Sequence, residues 1–196
     1  ELPDAEFVDG HGIIDSLSLI KDQGTINRFR EAGRICDVGH KAVREAVSNG
    51  GYKNITETEV GGIAALAMRK AGSVSEWNFA GLNEIATGWR TGLGACTPPT
   101  TKKFAAGEPC MLDLHSMFML GMGDHAHNYL ITPATPRQRW HADNFVALIE
   151  LLLKSYQAGK TPAGLLEEVM ELAKQRGCAD HVLPAVEHGI GLWGDE

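Results

Sequence analysis

The sequence predicts an α+β fold with helices on one face of an antiparallel sheet. Three observations carry this expectation. Helical stripes, strand-like runs, helical stripes and strand-like runs follow one another in blocks rather than in strict alternation. Two capping boxes, Thr56-Glu-Thr-Glu59 and Thr135-Pro-Arg-Gln138, open helices at defined points. Residues 107–131 form two β-rich runs joined by a short turn, the pattern of a hairpin.

Residues 1–20 show no clear periodicity. Phe7-Val8 and Ile13-Ile14 fit short strands or a linker from an earlier domain, and the globular domain is expected over residues 21–196. From residue 25 to 47, apolar side chains recur at Ile26, Phe29, Ala32, Ile35, Val38, Ala42, Val43 and Ala46, a helical stripe closed by Asn49-Gly50-Gly51. The first capping box starts a second helix to Lys70, in which Gly61-Gly62 lowers helix propensity but permits close packing on a sheet. Asn83 to Thr87 and Cys110 to Ser116 read as strands, separated by a loop with Pro98-Pro99 and Lys102-Lys103. Thr135 as N-cap, with Pro136 at the first helical position, begins a long helix to Ala158; Thr161-Pro162 begins another to Arg176, stopped by Gly177.

Each arm of the hairpin carries an aspartate, Asp113 or Asp124, among apolar neighbours where a lone carboxylate is costly to bury. They stand eleven residues apart, a spacing that can bring them close across an antiparallel ladder, and Gly121 and Gly123 are placed to relieve a bend. Two ionised carboxylates that close repel, and the cheapest neutraliser is a divalent cation or a shared proton. His188, in Glu187-His-Gly-Ile-Gly-Leu192, is a third candidate ligand, since the glycines let backbone crowd the ring. Two aspartates and a histidine suit a catalytic divalent metal. The ordinary alternative is a pair of satisfied polar residues at a hairpin edge and a core histidine. His115 shares the strand face of Asp113, whereas His125 and His127 alternate onto the face opposite Asp124. The apolar turn Met117-Phe-Met-Leu-Gly121 predicts a covered hairpin tip or an altered pocket.

Composition narrows the class. With 196 residues, 43% hydrophobic and 22% charged, the chain is long enough for a sizeable core and ordinary for a globular protein. A formal charge of −7, with no Lys/Arg-rich run, argues against nucleic acid as a partner. No apolar run approaches the roughly 20 residues that span a bilayer, and no basic-then-apolar leader opens the chain, so no membrane partner is expected. Cys36, Cys96, Cys110 and Cys178 are scattered, which reads as buried free thiols in a reducing, cytoplasmic setting.

Three signals in order resemble the pita-bread superfamily of methionine aminopeptidase, prolidase and creatinase. They are the opening Ile20-Lys-Asp-Gln-Gly-Thr-Ile26-Asn-Arg-Phe29, the hairpin with its aspartate spacing, and His188-Gly-Ile-Gly-Leu192. The resemblance covers residues 20–196. It implies the pita-bread fold, Asp113, Asp124 and His188 as metal ligands, and two divalent ions, iron or zinc foremost, with manganese or cobalt also accommodated. It also implies a homodimer and two further glutamate ligands after residue 196. The chain therefore reads as a fragment, incomplete at its C-terminus and expected to be inactive alone.

Two positions depart from the peptidase pattern. The histidine that peptidases carry in the loop before the hairpin aligns with Ala95, and the second histidine of their His-Gly-x-Gly-x-x-x-His-Glu sequence aligns with Asp195. The words Asp113-Leu-His-Ser-Met-Phe-Met-Leu-Gly-Met-Gly-Asp124-His-Ala-His-Asn-Tyr129 and Trp193-Gly-Asp-Glu196 are most similar to bacterial dimethylsulfoniopropionate lyases of this fold. That resemblance implies β-elimination to dimethyl sulfide and acrylate, with Asp195 as general base and a small sulfonium substrate. Trp193, Trp89 and Tyr129 are candidate aromatic faces for the sulfonium, although packing is the commoner role of such residues. A metal-dependent Xaa-Pro dipeptidase or creatinase-like hydrolase, and a pita-bread binding module without catalysis, stand as the alternatives.

Overall fold

A computed structural model describes residues 3–75, 83–93, 97–183 and 188–191. Residues 11–18, expected as strand or linker, instead form a short helix, α1 (His11–Ser18). Its Ile13, Ile14 and Leu17 stay exposed, so nothing in the described residues buries its apolar side. Helix α2 (Gln23–Val47) starts two residues before the stripe begins, because the Asp22 side chain accepts from the Thr25 backbone N–H at 2.7 Å and caps it. Helix α3 (Glu57–Lys70) begins at the expected capping box: Thr56 and Glu59 satisfy each other's backbone donors.

Three antiparallel strands follow in the order β1 (Glu84–Thr87), β2 (Pro109–Phe118) and β3 (Gly121–Leu130). The loop before β2 includes a 3-10 turn at Gly88–Leu93. The β2–β3 hairpin turns tightly, with Phe118 opposite Gly121, on Met119 and Leu120. Both turn residues have positive φ, 48° and 63°, and both are exposed, so the tip is not covered by the described residues. The glycine beyond the turn meets a different requirement. A Cβ on Gly123 would lie 2.7 Å from the Ala32 backbone, and one on Gly121 would lie 2.6 Å from Arg28 Cβ, so these glycines let α2 cross directly over β3. Gly61 of α3 has ordinary van der Waals room beside Ile85; the close approach falls on Gly39 of α2, where a Cβ would meet Met68 and Leu114 at about 3 Å.

Helices α2 and α3 lie on one face of the sheet. Strand periodicity sends Leu112 and Leu114 to that face, where they join Ile35, Cys36 and Val43 of α2, Val60, Ala64 and Met68 of α3, and Ile85 of β1 in one buried cluster. Burying each of the leucine, isoleucine, valine and methionine side chains in it contributes about 1.5–3 kcal/mol. The opposite face carries Asp113, His115 and Asp124. Helices α4 (Pro136–Ser155) and α5 (Pro162–Gln175) end one to three residues earlier than the sequence suggests and pack on each other. Arg176 ties them by donating to Asn144 Oδ1 at 2.6 Å. Among the described residues, no helix is long and apolar enough to cross a membrane. Cys36, Cys110 and Cys178 are buried free thiols, and Cys96 lies outside the described residues.

Candidate metal centre

The hairpin register builds the centre. Asp113 is opposite Ala126 and His115 is opposite Asp124, so the three polar side chains emerge on the same face within two rungs of the ladder. His115 is 5% exposed and wedges between the carboxylates: its Nε2 lies 3.4 Å from Asp124 Oδ1 and 3.7 Å from Asp113 Oδ2. One ligand-capable atom from each of the three lies within 4.8 Å of the others. His188 approaches from the far end of the chain, its Nε2 3.6 Å from Asp124 Oδ2. Its Nδ1 donates to the Gly189 carbonyl at 2.7 Å, so Nε2 is the ring nitrogen that faces the carboxylate.

Electrostatics agree with this crowding. Burial raises the Asp113 carboxyl to about 6; His115 works against the rise, and the neighbouring Asp124 and Glu84 add to it. Burial also opposes ionisation of Asp124, but the hydrogen bond and positive charge of His115 outweigh it and hold that carboxyl below its usual value. His115 shows the reverse balance: burial disfavours its cation, and the bond to Asp124 with the charge of Asp113 pushes it up nonetheless. Asp113 Oδ1 is buried with no hydrogen-bond partner among the described residues. An orphaned carboxylate oxygen beside a second carboxylate and an imidazole is the donor set that a divalent cation fits.

The structure thus gathers Asp113 and Asp124 around His115, places His188 beside Asp124, and leaves Tyr129 elsewhere. Tyr129 has the opposite strand parity to Asp124, pairs with Cys110 and places its hydroxyl 3.3 Å from His40 on the α2 side of the sheet, so it does not face the carboxylates. Trp89 sits on the 3-10 turn at 73% exposure. Trp193, Asp195 and Ala95 lie outside the described residues.

Two buried carboxylates were not singled out from sequence, and one of them, Glu84, adjoins the centre. Glu84 is opposite Asp113 in the β1–β2 register and is 4% exposed. An acidic residue within the strand-like Asn-Glu-Ile-Ala-Thr run was the available signal, by the same logic that marks Asp113. Glu57 is fully buried; Oε1 accepts from the Thr87 backbone and hydroxyl at 2.8 Å each, and Oε2 from the Thr100 backbone at 3.0 Å and hydroxyl at 2.7 Å. Arg90 Nε is 3.2 Å away. This carboxylate staples the long loop to β1, and no local pattern distinguishes it from an ordinary first-turn glutamate.

A hairpin that presents two aspartates to a histidine from a later segment, under two covering helices, defines the pita-bread class of metal-dependent hydrolases. Residues 27–196 match metallopeptidase family M24, and the chain belongs to that family. No curated protein matches the sequence. Among solved structures, the chain is similar to a prolidase from Pyrococcus furiosus, at TM-score 0.84 and 21% identity over 97% of this chain and 54% of that one. It is similar to an Xaa-Pro dipeptidase from Bacillus anthracis, at TM-score 0.83 and 22% identity over 98% of this chain and 52% of that one. It is also similar to an X-Pro aminopeptidase from Thermotoga maritima, at TM-score 0.84 and 21% identity over 98% and 52%. At these identities the likeness establishes the fold, and the chain spans about half the length of these relatives.

Proposed function

We propose that the chain carries metal-binding residues of a divalent-metal-dependent hydrolase that acts on small Xaa-Pro peptides. The observation that supports this most directly is the convergence of Asp113, His115 and Asp124, with His188 beside Asp124, in a member of family M24. The names of the similar structures supply the substrate class. In this reading Asp113, Asp124 and His188 hold the ion, with iron, zinc, manganese and cobalt all compatible with the donors. The ion supplies Lewis acidity toward a carbonyl and lowers the pKa of water. Asp113 and Asp124 bring the negative charge that keeps it there. His115 is held between them, and the two carboxylates favour its protonated form, a preference that a bound ion would weaken. Glu57 ties Thr100 of the loop that leads into β2 to Thr87 of β1.

A second reading is a lyase acting on dimethylsulfoniopropionate, favoured by one feature of the sequence. Asp195 stands where peptidases of this fold have a histidine, and a carboxylate there suits a general base for β-elimination. The two readings separate in a paired assay of the full-length polypeptide that bears this sequence, loaded with each candidate metal. Release of proline from an Xaa-Pro dipeptide supports the hydrolase. Dimethyl sulfide in the headspace, lost in Asp195→Ala with metal still bound, replaces that reading with the lyase. Neither product, with the metal bound, sinks both.

A further inference from the structure

On the α2 side of the same hairpin, three imidazoles converge. His125 and His127 stand two positions apart on β3 and so share a face. His40 of α2, 3% exposed, packs against them, its ring stacked on His127 with centroids 4.0 Å apart. The Nε2 atoms of His125 and His127 are 3.0 Å apart. The other nitrogen of each ring lies beside an oxygen: His125 Nδ1 is 3.2 Å from Asp37 Oδ1, and His127 Nδ1 is 3.4 Å from Tyr129 Oη. When both Nδ1–H groups donate outward, the two Nε2 lone pairs face each other, and a shared cation relieves their repulsion. This is also how metal-bound imidazoles are oriented, with an oxygen acceptor behind each ring.

We propose that His40, His125 and His127 form a second metal site, distinct from the carboxylate centre and separated from it by the sheet, which takes a borderline divalent ion such as Zn²⁺. One nitrogen from each ring lies within 4.8 Å of the others. Three neutral imidazoles without a carboxylate ligand suit zinc, copper or nickel rather than magnesium or calcium. Burial and the two neighbouring imidazoles keep His40 in its neutral form. His40 donates Nε2–H to the His125 carbonyl at 2.8 Å, so ligation requires it to release that bond and turn, or to use Nδ1, now 3.3 Å from Tyr129 Oη. His125 is one-third exposed, which gives an ion access from solvent. Bound there, the ion would clamp α2 to β3 one residue from Asp124, a structural role for the strand that presents the carboxylate centre.

The alternative is a purely hydrogen-bonded chain from Asp37 through His125 and His127 to Tyr129. Two measurements decide. Zinc stoichiometry by isothermal titration should fall by one equivalent in His127→Gln relative to wild type, both folded by far-UV circular dichroism. An unchanged stoichiometry overturns the proposal. Independently of whether that variant folds, Cu²⁺ bound to an Asp113→Asn/Asp124→Asn chain, which keeps all three imidazoles, should show electron paramagnetic resonance splitting from at least two nitrogens. Oxygen-only coordination, or no tightly bound copper, also overturns it.

Discussion

His115 and Asp124 face each other across the β2–β3 ladder, Nε2 3.4 Å from Oδ1, and the same imidazole nitrogen reaches Asp113 at 3.7 Å. A single buried histidine, whose protonated form both neighbours favour, thus stands between two carboxylates that would otherwise repel. Its removal is expected to be felt as lost stability before any ion is added. In metal-free solution, His115→Asn should lower unfolding free energy by about 1–3 kcal/mol at neutral pH, read from urea denaturation, because it leaves buried charged oxygens without their donor. Added divalent ion should restore most of that loss.

Removing the Asp124 charge acts on the ion and on the fold together. Asp124→Asn keeps the side-chain volume but discards the group shared by His115 and His188. Affinity for Mn²⁺ or Zn²⁺ at this centre should fall at least about 100-fold, measured by isothermal titration, and thermal stability without metal at neutral pH should also fall, because the ionised carboxylate held below its usual value by His115 is lost.

The pH dependence follows from the same trio. Asp113 is raised to about 6 in the folded chain, above its ordinary 3.8, so the folded state holds a proton that the unfolded state has released across that window. Stability contributed by the protonated carboxyl is complete below about 4 and is lost as pH rises through about 6, by about 2–3 kcal/mol. His115, raised above 6.5, adds a loss of the same sign at higher pH. Asp124, lowered, acts the other way, its contribution disappearing only on acidification below its ordinary value. Metal-free unfolding free energy should therefore decline between pH 4 and 7. Metal binding at neutral pH should release protons, measurable as a dependence of the titration heat on buffer ionisation enthalpy.

Gly123→Ala tests how α2 and the hairpin fit. The added Cβ would meet the Ala32 backbone and Ser116 Oγ at 2.7 Å, none of which is the free end of a flexible chain. We expect a loss of about 1–3 kcal/mol or more, seen in chemical denaturation, accompanied by weaker metal binding because Asp124 is the next residue.

Glu57→Gln tests the loop staple. Glutamine retains one acceptor oxygen but turns the other into a donor facing Thr100 N–H and the Arg90 side chain. The expected cost is about 3 kcal/mol in stability, with faster proteolysis in the 88–107 loop.

Much of this was legible in the chain itself. Capping boxes at Thr56 and Thr135 depend on residues three apart, and the structure satisfies both where the sequence places them. The hairpin, too, is local: its strands follow from β-formers on either side of a short turn, and period-two alternation puts Asp113, His115 and Asp124 on one face. The alternation of His125 and His127 away from Asp124 was equally readable. The order of helices and strands gave the α+β class, and His188-Gly-Ile-Gly-Leu192 with the aspartate spacing gave the superfamily.

Other features needed three dimensions, because each depends on groups far apart in the chain. Tyr129 is an aromatic near Asp124 in sequence, yet the pleat turns it to His40 of α2, 89 residues away. Gly121 and Gly123 look like bend residues, but the turn itself falls on Met119 and Leu120, and the glycines are required by α2 passing overhead. Glu57 is a first-turn glutamate in sequence and a buried four-bond acceptor in space, since Thr87 and Thr100 come to it from later segments. Local sequence fixes periodicity, caps and which face a residue takes. Which residues lie across that face, and how much water remains between them, is set only when distant segments pack, and it is that packing which shifts Asp113 and gathers three imidazoles behind it.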